Sequence, residues 1–153
     1  MEKNTLTLIR LYLELDILLL NLYQRLGRKR KFPLPLRKMW QGLAKDEKEH
    51  IFYWRYLKKK QYCLDIFHPK EIKIYKRKIE QLIKELERIK KDDSMSLEKY
   101  FDLTVNIEFA ALVSPMQKCF YNHDIILGKT VFNPYKKYNL HLKRITAIAE
   151  RIY

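Results

Sequence analysis

Residues 39–50, MWQGLAKDEKEH, contain the pattern that decides the fold. Glu47 follows Trp40 by seven residues and precedes His50 by three, so all three lie toward one side of a helix. Trp54, another seven residues on, extends the same side. A carboxylate on an apolar helix face is costly to bury unless it is paired or binds a metal. Glu47 and His50 therefore form the first candidate for a functional group in a helical core.

Helical periodicity continues outward from this stretch in both directions. The spacing of apolar residues predicts five helices, over residues 5–27, about 35–61, 69–91, 96 to at least 113, and 134 to the C-terminus. Gly27 is expected to end the first helix, and Ser96 is expected to cap the fourth. A loop is expected over residues 123–133.

The composition agrees with a helical protein. The 153 residues include only 3 Gly and 5 Pro, too few for the many turns of an all-β sandwich. Because 47% of the residues are hydrophobic and 33% are charged, the chain can bury a core, and we expect one domain over residues 1–153. The fold class predicted is all-α.

Two features bear on the expected location. The leucine-rich stretch 11–22 is interrupted by Glu14, Asp16 and Asn21, which indicates a core helix and neither a signal peptide nor a membrane span. Two cysteines, far apart in the sequence, cannot build a disulfide framework or a tetrathiolate metal site. A reducing compartment, the cytoplasm, is therefore predicted.

Titratable groups face the predicted core from three further helices. Asp16 lies seven residues from both Ile9 and Tyr23, on the apolar side of the first helix. Glu108 shares the apolar side of the fourth helix, and His141 lies four residues before Ile145 in the last. In ferritin-like bundles, a carboxylate or a Glu-x-x-His pair from each of four antiparallel helices holds two iron or manganese ions. Carboxylate and imidazole ligands suit both metals.

Four segments together resemble the rubrerythrin-type members of the ferritin-like superfamily. They are DILLLNLY (16–23), MWQGLAKDEKEH (39–50), VNIEFAAL (105–112) and YNLHLKRI (138–145). The resemblance implies an antiparallel four-helix bundle with an additional amphipathic helix in the crossover. It also implies that Asp16, Glu47, His50, Glu108 and His141 are metal ligands. Tyr23, like Trp40 and Trp54, is expected in the core, and from its position on the first helix it could also donate a hydrogen bond to a ligand carboxylate.

The sequence departs from the family pattern at several positions. Asp16 stands where the family usually has glutamate, Tyr138 stands in place of the glutamate of the second Glu-x-x-His pair, and Ala111 replaces an extra glutamate. Two divalent ions carry four positive charges, whereas the three carboxylates supply only three negative charges, so one carboxylate is missing. Tyr138 could bind as a phenolate, the site could hold one ion, or it could hold none.

The resemblance also implies a function. With iron in the core, the expected chemistry is a rubrerythrin-type oxidoreductase that reduces peroxide or O₂. The two cysteines cannot form a rubredoxin domain, so a separate protein would donate electrons. Bundles of this kind often form homodimers, and no membrane partner is expected.

A second interpretation needs no metal. A single histidine on an apolar face is more often a hydrogen-bonded core residue than a ligand, and Glu47 could pair with a buried arginine. The net charge of +14, with basic runs at 28–31, 58–60 and 76–78, would then favour a non-catalytic module that binds nucleic acid or another acidic partner. Such runs are also common on solvated helix faces.

Overall fold

The computed structural model describes residues 2–60, 68–112, 125–127, 130–132, 143–148 and 150–151. Its elements in chain order are α1 (Glu2–Arg28), α2 (Leu34–Lys60), α3 (Pro69–Lys90), α4 (Leu97–Leu112), β1 (Ile125–Leu127) and β2 (Thr130–Phe132). Residues 143–148 and 150–151 are also helical. The described part of the chain is predominantly helical, as the sequence predicts, while the extent of a single domain stays a prediction.

Two local features confirm the predicted starts of α3 and α4. His68 caps α3: its side chain accepts the Lys70 backbone N–H, and Glu71 accepts the His68 backbone N–H at 3.2 Å. Ser96 Oγ accepts the Lys99 backbone N–H at 3.3 Å in the first turn of α4. Helices α3 and α4 therefore each begin where a side chain accepts a hydrogen bond from a backbone N–H that would otherwise be unpaired.

Gly27 does not end the first helix, because α1 continues to Arg28. Its role is close packing: a Cβ atom at Gly27 would lie 2.8 Å from Gln41 Cγ and 3.3 Å from the carbonyl oxygen of Arg37, both on α2. Gln41 Nε2 also donates to the Gly27 carbonyl oxygen at 3.0 Å. Gly27, expected to stop the helix, is instead a place where α1 and α2 pack in close contact.

The loop expected over residues 123–133 contains a short hairpin. β1 and β2 pair antiparallel, with Ile125 opposite Phe132 and Leu127 opposite Thr130. Both strands consist largely of residues with high β propensity, but three residues are too few to give a clear alternating pattern. The predicted start of the last helix at residue 134 lies outside the described residues.

Contacts between the helices fix their directions. The short link between α1 and α2 makes them an antiparallel pair, in which Gly27 meets Gln41 and Asp16 meets Trp54. Arg25 near the end of α1 donates to carbonyl oxygens at the end of α3, so these two helices are parallel. Tyr100 of α4 packs on Phe32 at the α1–α2 link, and Glu108, two turns later, meets Tyr23 of α1. Helix α4 is therefore antiparallel to α1 and runs in the direction of α2.

An aromatic cluster closes one end of this helix assembly. We call Phe32, Trp40 and Tyr100 the aromatic end: the Phe32 ring lies 5.6 Å from the ring of Trp40 and 6.1 Å from that of Tyr100. All three side chains are buried. Lys29 Nζ lies over the Phe32 and Tyr100 rings and pairs with Asp93 at 2.5 Å. The aromatic end thus joins the α1–α2 link to the α3–α4 link.

In the part of the chain that the structure describes, no helix combines the length and the apolar character that a membrane span requires.

Candidate metal centre

Asp16, Glu47 and His50 come together inside the helix assembly. Each offers one ligand atom, and these atoms all lie within 4.8 Å of one another. The three residues are only 2%, 2% and 6% exposed. We call them the Asp–Glu–His cluster. Such residues are potential metal ligands, and their burial distinguishes them from acidic groups that merely meet at the surface.

The periodicity of α1 and α2 brings these groups together. Ile9 and Tyr23, seven residues either side of Asp16, are both buried, as are Trp40 and Trp54 on either side of Glu47. Because α1 and α2 are antiparallel, the middle of one helix lies beside the middle of the other. The predicted inward orientation of Asp16, Glu47 and His50 is confirmed.

Hydrogen bonds orient the cluster. Trp54 Nε1 donates to Asp16 Oδ2 at 2.7 Å. His50 Nδ1 lies 3.2 Å from Glu47 Oε2, one turn back on the same helix. The Glu47–His50 contact holds the ring beside the carboxylate.

The electrostatics of the cluster disfavour a negative charge on Asp16. Burial raises the pKa of Asp16 well above its ordinary value of 3.8, and the nearby charge of Glu47 raises it further. The charge of His50 and the hydrogen bond from Trp54 act in the opposite direction. Additional positive charge at this place would therefore stabilise the ionised carboxylate.

Glu108 and Tyr23 form a second polar contact close to the cluster. Glu108 is 2% exposed, and Tyr23 Oη donates to its Oε1 at 2.5 Å. Burial, followed by the charges of Glu108 and Glu47, raises the pKa of Tyr23 well above 10.0, so the phenol keeps its proton and remains a donor. The charge of Glu108 also acts on Asp16. Tyr23 thus donates to one of the predicted ligand carboxylates.

The two predicted ligands of the last helix, Tyr138 and His141, lie outside the described residues. The helical residues that follow them contact α2: Arg144 pairs with Asp46 at 3.2 Å, and Ile145 is buried. Asp46 immediately precedes Glu47 in the sequence. The C-terminal helical segment therefore packs against α2 near the cluster.

The sequence alone did not reveal the roles of the two tryptophans. Both were expected in the core, but Trp54 also donates to Asp16, and Trp40 donates to Thr104 Oγ1 at 3.1 Å. The position of Trp54 four residues after His50 was a signal that it neighbours the cluster. In the basic run 28–31, Arg28, Arg30 and Lys31 are exposed as expected, whereas Lys29 is only 14% exposed and is paired with Asp93.

Comparison of the chain with protein family models, with curated proteins and with solved structures finds no match. Any functional assignment must therefore come from the residues and their geometry.

Proposed function

We propose that this protein binds transition-metal ions in its helical core, iron in the first place and manganese as the alternative, through Asp16, Glu47 and His50. The observation that carries the proposal is the burial of three potential ligands whose donor atoms lie within 4.8 Å of one another. Two ligands on opposite sides of an ion at about 2.1 Å would be roughly 4.2 Å apart. Small side-chain rotations would be enough to bring all three donors to one ion.

The donor set fits a first-row divalent ion. The cluster offers two carboxylates and one imidazole, which are ligand types that both iron and manganese accept. It offers no thiolate, the ligand type that softer metal ions prefer. Burial, and then the charge of Glu47, raises the pKa of Asp16, and the positive charge of an ion would offset both effects. The burial of Asp16, Glu47 and His50 limits the access of water to the three donors.

We propose, further, that the helices form a ferritin-like bundle. The antiparallel α1–α2 pair, the amphipathic α3 in the position of the crossover, and α4 parallel to α2 support this arrangement. In such a bundle Glu108 would be the ligand from α4, and the last helix would supply His141 and Tyr138. Two ions would need these ligands, whereas one ion could be held by Asp16, Glu47 and His50 with solvent.

The chemistry that we propose for an iron-loaded core is that of a rubrerythrin-type oxidoreductase. Iron, when bound, supplies Lewis acidity and one-electron redox chemistry toward peroxide or O₂. The chain contributes ligands, their orientation by Trp54 and Tyr23, and a protonated phenol at Tyr23. A separate electron-donor protein would complete the cycle. The redox part of this proposal fails if the iron-loaded protein turns over no peroxide with reduced rubredoxin or ferredoxin.

Metal binding itself is tested by comparing two isosteric variants of α2. Glu47→Gln removes a charge from the cluster, while Glu49→Gln removes the same charge two residues away, outside it. Each purified protein is equilibrated with Mn(II), or with Fe(II) under anaerobic conditions, and bound metal is measured by plasma mass spectrometry. We expect one or two ions per chain in the wild type and in Glu49→Gln, and a loss of bound metal in Glu47→Gln.

Thermal unfolding provides a second readout for the same proteins. A ligand that binds only the folded state stabilises it by about 2.7 kcal/mol at a concentration 100-fold above its Kd. Metal should therefore raise the Tm of the wild type and of Glu49→Gln, and a chelator should reverse the rise. A wild type that retains no metal, or a Glu47→Gln variant that retains as much as the wild type, would contradict the proposal.

A further inference from the structure

Two buried tryptophans are spaced equally in the sequence before and after Glu47, and the indole N–H of each donates a hydrogen bond. Trp40 and Trp54 are seven residues before and after Glu47, and they are 0% and 1% exposed. Trp40 donates to the Thr104 hydroxyl at 3.1 Å, while Trp54 donates to Asp16 Oδ2 at 2.7 Å. Only the second of these hydrogen bonds reaches the Asp–Glu–His cluster.

The indole of Trp54 is held firmly in place. Its ring stacks on Tyr12 with centroids 4.9 Å apart and an angle of 12° between the planes, and Tyr53 packs edge-on at 5.8 Å. An indole N–H is a donor only, so it can neither bind a metal nor accept a proton. Rotation of the ring away from Asp16 would break both aromatic contacts. Asp16 Oδ2 therefore faces a fixed hydrogen-bond donor.

We propose that Trp54 is a positioning residue that makes Asp16 bind its ion through Oδ1 alone. This inference rests on the metal binding proposed above and adds how one ligand coordinates. The N–H fixes the plane of the carboxylate and draws electron density from Oδ2, which makes Oδ2 the poorer ligand. Without that hydrogen bond the carboxylate can turn about its Cβ–Cγ bond and offer both oxygens or neither. Trp54 thus determines the number of oxygen ligands and their direction.

The test uses Co(II) alone as the probe, because its visible absorption depends on the number and geometry of its ligands. Trp54→Phe removes the N–H that reaches Asp16, and Trp40→Phe is the matched control that removes the N–H that reaches Thr104. We expect Co(II) to bind Trp54→Phe about 10- to 100-fold more weakly than the wild type. The absorption bands should also change in position and intensity in Trp54→Phe and remain those of the wild type in Trp40→Phe.

An isosteric replacement removes the donor without creating a cavity. Benzothienylalanine, which has sulfur in place of the indole N–H, is incorporated at position 54 in the Trp40→Phe background. It should give the Co(II) spectrum of Trp54→Phe, with an unchanged far-ultraviolet circular dichroism spectrum before metal is added. This variant decides the question even if Trp54→Phe fails to fold.

Two results would overturn the inference, and they are distinguishable. If the wild type binds Co(II) and the benzothienylalanine protein shows the same affinity and spectrum, Trp54 does not position Asp16, while metal binding stands. If the wild type binds neither Co(II) nor the iron and manganese of the earlier experiment, the proposed function fails and the inference fails with it.

Discussion

The aromatic end and the Asp–Glu–His cluster share helix α2, but one is apolar and the other is made of charged groups. At the aromatic end, apolar rings pack together, and Trp40 donates to the uncharged hydroxyl of Thr104. In the cluster, two carboxylates and an imidazole share a small volume. The first arrangement stabilises the fold, whereas the second costs stability unless an ion or a proton compensates its charge. Buried charged groups that lower the stability of the fold are characteristic of a functional site.

The largest expected effect comes from breaking the aromatic end. Trp40→Ala removes a fully buried ring and the hydrogen bond to Thr104, and we expect a loss of about 3–5 kcal/mol in the free energy of unfolding. Urea denaturation measures this loss. Phe52→Ala, on the same helix but 53% exposed, is the control and should change stability by less than about 0.5 kcal/mol. Equal effects of the two substitutions would show that the aromatic end is not a stabilising core.

The same contrast explains what could be predicted from the sequence. Helix periodicity alone places Asp16, Glu47 and Glu108 on apolar faces, and all three are buried as predicted. Periodicity does not give the distance between helices, so it could not show that Trp54 donates to Asp16. Gly27 was misassigned as a helix stop for the same reason, because its role depends on the approach of α2.

The short strands and the packing of one basic side chain were also not predicted from the sequence. The three-residue strands β1 and β2 depend on pairing with each other, which a local pattern does not encode. The basic run 28–31 predicted exposed charges, but Lys29 packs over the rings of Phe32 and Tyr100. Tyr138 and His141 stay predictions.

The second-largest effect, a gain in stability, is expected from a substitution in the Asp–Glu–His cluster. Asp16→Asn keeps the shape and an oxygen that can accept from Trp54, but it removes the buried charge. In chelator-treated protein at pH 7, we expect the variant to be more stable than the wild type, by about 1.4 kcal/mol for each unit by which folding raises the pKa of Asp16 up to that pH. Glu14→Gln, on the exposed side of α1, is the control and should be near neutral.

The pH dependence tests the origin of this gain. Because the pKa of Asp16 is raised in the folded state, the folded protein binds the proton more tightly than the unfolded chain does. The stability of the metal-free wild type should therefore fall as pH rises above the ordinary value of 3.8 toward the folded pKa. The advantage of Asp16→Asn should be small at low pH and grow toward neutral pH in urea denaturation. An advantage independent of pH would exclude the carboxylate charge as its cause.

The smallest effect, with the reverse pH dependence, is expected beside the aromatic end. The hydrogen bond from Lys29, and then its charge, hold the pKa of Asp93 below 3.8, so the folded state releases this proton more readily than the unfolded chain does. The pair stabilises the protein above pH 3.8 and loses that contribution as pH falls through the folded pKa. Asp93→Asn should lower the Tm slightly at neutral pH and leave it unchanged in acid. Asp93 is 77% exposed, so 1 M salt should reduce the difference at neutral pH as well. If Asp93→Asn instead raised the Tm at neutral pH, as Asp16→Asn should, the two regions would not differ in the way their contacts indicate.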